Sequence, residues 1–269
     1  MTVEAIRVSA GWLDLREGAD AAARSRELVA RLLQRSPTGG SWVIHDLACG
    51  SGSMGRWLAP QLPGPQRWIL HDHDEDLLAL AAADVPGGTA VSVETRLSDI
   101  TQLAANDLEG VTLITASALL DLLTVDELAA VIRVCAGAAC PVLFTLSVTG
   151  SVDLAPADPL DARVACAFNA HQRRVTPRGR LLGPAAVDAA VEGFRAFGAE
   201  ALAAPSPWRL GAAETDLAVE WLTGWVGAAC EQEQGLAGDA DLYRRRRLRE
   251  AEAGRLAVTV DHADLLVLP

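Results

Sequence analysis

The chain has 269 residues, half of them hydrophobic, with 35 acidic against 23 basic side chains and a formal net charge of −12. That apolar content closes a core without staples, and the length fits one large α/β domain or one domain with a small cap. The acidic balance argues against a nucleic-acid binder, which presents a basic face. The cysteines at 49, 135, 140, 166 and 230 form no C-x-x-C pair and are odd in number, so they read as reduced, mostly buried thiols of a cytoplasmic protein. The opening M-T-V-E-A-I-R-V has no signal-peptide core, and no stretch approaches a membrane span.

In chain order, residues 10–35 carry apolar side chains at helical spacing, with Leu28, Val29, Leu32 and Leu33 on one face, and read as one leading helix. S-P-T-G-G at 36–40 ends it. Trp42, Val43 and Ile44 open a strand that passes Asp46 into a small-residue turn, and Arg56-Trp57-Leu58 continues as helix. Gly50 and Gly52 are bare backbone positions, where a side chain would hold a ligand off. Asp46 puts negative charge at the strand's end, which a phosphate-binding turn would avoid. The ligand it suits is cationic.

A second strand covers 67–71 and Asp72 closes it; the helix that follows has Asp74 at its N-cap and acids in its first turn. V-P-G-G-T at 85–89 is a turn, and 90–97 alternates as a third strand before Ser98-Asp99-Ile100. A fourth strand at 111–115 runs into A-S-A-L-L-D-L-L-T, a helix spans 124–137, and a fifth strand covers 141–146. Strands alternating with helices in this way make a doubly wound parallel sheet, whose ligand lies across the carboxyl ends of the strands. Residues 46 to 52, 72, 99 and 117 all fall at such ends.

Residues 150–183 read as an excursion without sheet elements, holding a short helix at 160–173 that gathers Phe168, Asn169, His171 and Gln172. A helix at 184–197, a sixth strand at 200–204, helices at 212–234 and 239–253 and a closing strand at 256–268 complete the chain. Trp221 and Trp225 lie four apart on one helical face and read as core. The run Y-R-R-R-R-L-R at 243–249 reads as a solvated helix balanced by Glu250 and Glu252.

D-L-A-C-G-S-G, from Asp46 to Gly52, resembles the first motif of the class I S-adenosylmethionine-dependent methyltransferases: an apolar strand, an acid, then G-x-G. Gly50, Gly52 and Gly55 also spell the G-x-G-x-x-G of nicotinamide-dependent oxidoreductases, but the acid ahead of the first glycine favours the methyltransferase. The resemblance covers roughly residues 10–150 and the closing strand. It implies an α/β fold with a doubly wound, seven-stranded, mostly parallel sheet and helical additions over its carboxyl edge. The division it suggests is a helical cover at 1–40, a core at 41–210 and 255–269, and a helical insertion at 211–254.

It also implies S-adenosylmethionine as cofactor. Asp46, Ala48, Gly50 and Gly52 would meet its methionyl end, Asp72 its ribose, and His73 would flank the adenosine. Asp99 and Ile100 would read the adenine, Ser117 and Ala118 would lie under the adenosine, and Arg24 or Arg16 would pair with the carboxylate. For either arginine alone, a solvated helix face is the plainer reading. No metal is expected: His71 and His73 begin a metallohydrolase-like H-x-H, but Glu75 and Asp76 stand where that motif needs Asp and His. His171 is the general-base candidate, with Asn169 and Arg173 as orienting groups and Trp208 lining a substrate pocket. Asp121 either faces substrate or caps the helix beginning near Thr124. The expected activity is methyl transfer to oxygen or nitrogen of a small molecule. A non-catalytic cofactor-binding partner protein of the same fold, an oxidoreductase and a homodimeric assembly remain open.

Overall fold

Pairing of parallel strands sets the frame. The computed structural model describes residues 8–37, 40–84 and 90–269; the turn expected at 85–89 and part of 36–40 lie outside them. The chain begins with α1 (Ala10–Ala23) and α2 (Arg26–Leu33), then β1 (Trp42–Leu47), α3 (Ser53–Leu58), β2 (Gln66–Asp72), α4 (Glu75–Asp84) and β3 (Val91–Leu97). It continues through β4 (Leu113–Ser117), α5 (Val125–Gly137), β5 (Val142–Ala155), α6 (Asp161–Gln172), the short β6 (Val175–Thr176) and β7 (Gly179–Arg180), and α7 (Ala186–Ala196). Then come β8 (Glu200–Pro205), β9 (Trp208–Leu210), α8 (Thr215–Gln232), α9 (Ala237–Glu252) and β10 (Ala257–Leu268).

The main sheet has the order β3-β2-β1-β4-β5-β10-β8, with β9 added to the first half of β10. Neighbours from β3 to β5 pair parallel, while β10 is antiparallel to β5 and β8. The order reverses between β1 and β4, which makes their carboxyl ends the natural crevice. One face buries Trp42, Ile44, Trp68 and Leu70 under Leu28 and Leu32 of α2, Met54 of α3 and Leu78 of α4. The other buries Leu47, Ile114 and Ala116 under Val131 and Ile132 of α5 and Phe194 of α7. A separate cluster packs Val164 of α6, Trp221 and Trp225 of α8 and Tyr243 of α9 against Leu154 and Val258, and the two tryptophan rings stack at 5.1 Å. Among the described residues no helix is long and apolar enough to cross a membrane.

Three expectations change. The leading helix is broken at Arg24, whose backbone turns extended (φ −53°, ψ 136°), and Ser25 restarts it as an N-cap accepting from Leu28 N at 3.3 Å. The fifth strand does not stop near Leu146 but runs to Ala155, because the long β10 pairs along its whole length. The excursion from 150 therefore begins as sheet, and it also contains the antiparallel hairpin β6–β7. Midway along β5 a bulge puts Leu146 at φ +57°, opposite a register shift between Ala263 and Leu265. The buried N–H that the bulge frees needs a partner, and Asp264 Oδ1 accepts it at 2.8 Å.

The third change concerns the arginine run. Arg246 pairs with Asp158 at 2.8 Å, and Arg247 is buried at 1% side-chain exposure. Arg247 donates to both oxygens of Asp161 and, at 2.9 Å, to Glu250, while Tyr243 Oη also donates to Asp161. This group ties α9 to α6. Removing one partner of a buried ion pair strands the other charge, so Arg247→Ala should cost about 3–5 kcal/mol in a denaturant titration. Arg245→Ala, at an exposed position of the same helix, should stay within about 0.5 kcal/mol. Equal effects of the two would refute the pairing.

Candidate functional site

Asp46 is the next-to-last residue of β1 and is fully buried. The parallel register sets it beside Thr115 of β4, whose Oγ1 donates to Asp46 Oδ1 at 2.7 Å. Oδ2 is buried with no partner among the described residues. Burial pushes the Asp46 carboxyl up to about 7, against the Thr115 bond and the nearby charge of Arg24. Two alanines in the left-handed region flank it, Ala48 and Ala118, both at φ +52°. Such backbone is costly for a residue with a Cβ and tends to gather at functional sites.

Arg24 is no solvated arginine. Its break between α1 and α2 drives the side chain inward to 2% exposure, where Nη2 donates to Ser53 Oγ at 3.0 Å and to Ser117 Oγ at 3.1 Å. Nη1 reaches Ser53 O at 3.4 Å and the guanidinium lies 5.4 Å from the centre of the Trp57 ring. Among the described residues its buried Nε has no partner and no carboxylate pairs with it. Burial pulls its pKa down, but a guanidinium keeps its proton. Ser25 N, the next donor along, is held by Asp264 Oδ2 at 2.7 Å. Arg16 is differently engaged: it forms a two-oxygen pair with Asp20 and lies 4.8 Å from the Trp208 ring centre.

The glycine turn is braced by the end of β2. Gly50 N donates to Asp72 Oδ2 at 2.8 Å, Asp74 N to Asp72 Oδ1 at 3.0 Å, and Cys49 N to His71 O at 2.9 Å. Each oxygen of Asp72 keeps a second lone pair for another donor. The glycines have structural causes beyond ligand approach: at Gly52 (φ +87°) a Cβ would sit 3.1 Å from Ala81 of α4, and at Gly50 (φ +55°) 3.2 Å from Leu13 of α1. Asp74 caps α4 by accepting from Asp76 N at 3.0 Å. His73 is half-exposed beside Asp72 at 3.5 Å, whereas His71 meets the buried His45 ring at 2.9 Å. Burial pushes both His45 and His71 down to about 4, which leaves them neutral. Asp99 is exposed and caps its own short turn by accepting from Thr101 N at 2.9 Å, while Ile100 is buried.

Asp121 lies half-buried in the turn after β4, and burial pushes its carboxyl up to about 6. It does not cap α5. Thr124 and Glu127 form that capping box by themselves. The remaining expected substrate groups each have partners of their own or stand exposed. His171 Nε2 is 3.2 Å from Glu231, a residue at the exposed end of α8. Asn169 Nδ2 donates to Gly150 O at 2.7 Å, and Arg173 is exposed at the end of α6. Trp208 is buried, donates to Asp20 Oδ1 at 2.9 Å and packs 5.2 Å from His262. Sequence reasoning passed over Thr115, Ser53 and Asp264; a threonine ending an apolar strand and an acid within the apolar closing strand were the available signals.

Asp46, the glycine turn, Asp72, Arg24 and Ser117 thus meet at the carboxyl ends of β1, β2 and β4. A buried carboxylate with an idle oxygen and a buried guanidinium with an idle N–H match the two ends of an amino-acid zwitterion. Residues 44–141, from β1 to the start of β5, match the family model described as a methyltransferase domain. That match identifies the domain. Residues 44–141 form a class I, Rossmann-like methyltransferase domain, and its cofactor is S-adenosylmethionine. The methyltransferase fold extends over the whole chain: the cyclopropane synthase MmaA2 from Mycobacterium tuberculosis aligns with 97% of this chain and 95% of its own, at 14% identity and a TM-score of 0.53. The mycolic acid cyclopropane synthase CmaA1, solved with S-adenosylhomocysteine and CTAB, aligns with 95% and 94% at 13% identity and a TM-score of 0.50. No curated protein matches the sequence significantly.

The methyltransferase's acid at β1 yields a pH test. A cationic group on Asp46 favours the ionised carboxylate, so below about 7 a proton must leave before the ligand binds. The S-adenosylhomocysteine affinity measured by calorimetry should therefore rise with pH from 5.5 to about 7 and level off above it. In Asp46→Asn it should be weaker and flat. An unchanged slope in the variant would remove Asp46 from the ligand's surroundings.

Proposed function

We propose that this methyltransferase moves a methyl group to an oxygen or nitrogen atom of a small molecule, and that Asp121 takes the proton from that atom. The residue that carries the reading is Asp121 itself. It stands on the turn after β4, close in sequence to Ser117 and Ala118, which would lie under the adenosine, and its carboxyl accepts from its own backbone N–H. A carboxyl near 6 is ionised at neutral pH yet basic enough to accept a proton from a hydroxyl or an ammonium group.

Arg24 would hold the cofactor's carboxylate, Asp46 its ammonium group and Asp72 its ribose hydroxyls, with the backbone of 48–52 close against the methionyl chain. Ile100, buried beside Asp99, would pack on the adenine. When bound, S-adenosylmethionine supplies an electrophilic methyl on a sulfonium. The protein's task is then to orient the acceptor in line, an effect worth on the order of 7–11 kcal/mol, and to remove its proton. His171, engaged with Glu231, and Asn169, engaged with Gly150, would shape the substrate side from α6. The proposed division of labour follows: a cover at 1–40, the core at 41–210 and 255–269, and the α8–α9 insertion at 211–254 backing α6.

The test is transfer of labelled methyl from S-adenosylmethionine into a small-molecule cell extract. Asp121→Asn should lower the rate about 10²–10⁴-fold while leaving S-adenosylhomocysteine affinity unchanged. The wild-type rate should climb with pH through about 6, as the base loses its proton, and that limb should vanish in the variant. Full activity of Asp121→Asn would remove it from the mechanism.

A further inference from the structure

The chain contains no lysine, so all 23 of its basic side chains are arginines. Four of them, Arg173, Arg174, Arg178 and Arg180, fall between the end of α6 and the end of the β6–β7 hairpin, a local reversal of charge on an acidic protein. The hairpin is fastened to the turn that carries Asp121. Leu182 N donates to Leu123 O at 2.8 Å, Leu181 bridges Thr124, and Arg178 Nη2 donates to Leu122 O at 3.3 Å. It therefore stands beside the substrate side of the cleft.

Arg178 is neutralised by Glu127 at 2.6 Å. The other three are not. Arg174 Nη1 donates to His171 O at 3.2 Å and Arg180 Nη1 to Arg173 O at 2.9 Å, so backbone carbonyls hold these guanidinium groups without cancelling their charge. Arg173 is exposed, and none of the three has a carboxylate partner among the described residues. Uncancelled, anchored guanidinium groups are suited to an anion that offers several oxygens; one carboxylate is satisfied by a single guanidinium, while a phosphate can engage two or three.

We infer that Arg173, Arg174 and Arg180 form an arm that takes a phosphate group on the part of the substrate remote from the methyl-accepting atom. The inference rests on reading the adjoining Asp121 turn as the substrate side. Binding at a remote anion would hold the acceptor in line and contribute to catalysis without touching the reacting atoms.

Pyrophosphate serves as the probe, titrated at low salt into the full chain with and without S-adenosylhomocysteine. Arg173→Gln/Arg174→Gln/Arg180→Gln should weaken pyrophosphate binding at least about tenfold, and Arg245→Gln/Arg249→Gln on the exposed face of α9 should leave it unchanged. S-adenosylhomocysteine affinity should be the same in all three proteins. If the triple variant does not fold, Arg173→Gln alone, which removes no hydrogen bond among the described residues, carries the comparison. Equal binding by wild type and variant, or none by wild type at millimolar pyrophosphate, overturns the inference. So does pyrophosphate-independent sedimentation with phosphatidylglycerol vesicles that only the wild type shows, which would make the arm a membrane contact. Loss of S-adenosylhomocysteine binding in the wild type would instead count against the methyltransferase reading, and the pyrophosphate titration would still report on the arm.

Discussion

Two opposite charges, Asp46 and Arg24, are buried at the end of the sheet without being spent on each other. Each has its secondary partners, Thr115 for the carboxylate and the Ser53 and Ser117 hydroxyls for the guanidinium, and each keeps one buried atom without a partner among the described residues. An unmet buried polar atom costs on the order of 1–3 kcal/mol, more when charged. A fold retains such an expense where a ligand relieves it. The neighbouring left-handed alanines, Ala48 and Ala118, add backbone strain at the same place. The first strand, the leading helices and the fourth strand are all shaped by the need to bring these groups together.

What holds Arg24 there comes from the far end of the chain. The bulge in β5 frees the N–H of Leu146, the register shift in β10 aims Asp264 at it, and the second oxygen of Asp264 fixes Ser25. One carboxylate thus joins the sheet's irregularity to the break between α1 and α2. Burial pushes the Asp264 carboxyl up, and the two N–H groups it accepts pull the other way. Helices α8 and α9 are tied down separately, by the buried Arg247 pairing with Asp161 and by the stacked tryptophans of α8.

The sequence made local features legible and long-range ones opaque. The apolar strand, Asp46 and the glycine turn read directly, because they lie within a few residues and their chemistry is fixed by their spacing. Asp74 as a cap and the five alternating strands were equally plain. The break at Arg24 was hidden: Ser25 inside a run of good helix formers is worth only about 1 kcal/mol as an N-cap, and Asp264, 239 residues away, tips the balance. The extension of β5 depends on β10, and the burial of Arg247 depends on Asp161, 86 residues earlier. The Gly52 position was recognised for one reason and is fixed by another, since α4 leaves no room for a Cβ.

The central claim is that Arg24 and Asp46 grip the two ends of an amino-acid moiety, and it is tested by two ligands that differ only in having one. S-adenosylhomocysteine carries the moiety and 5′-methylthioadenosine lacks it. In Arg24→Gln the affinity for the first should fall, by on the order of tenfold or more, while the second binds as it does to wild type. Equal loss for both ligands would mean that Arg24 only supports the fold. Equal retention would mean that the carboxylate lies elsewhere.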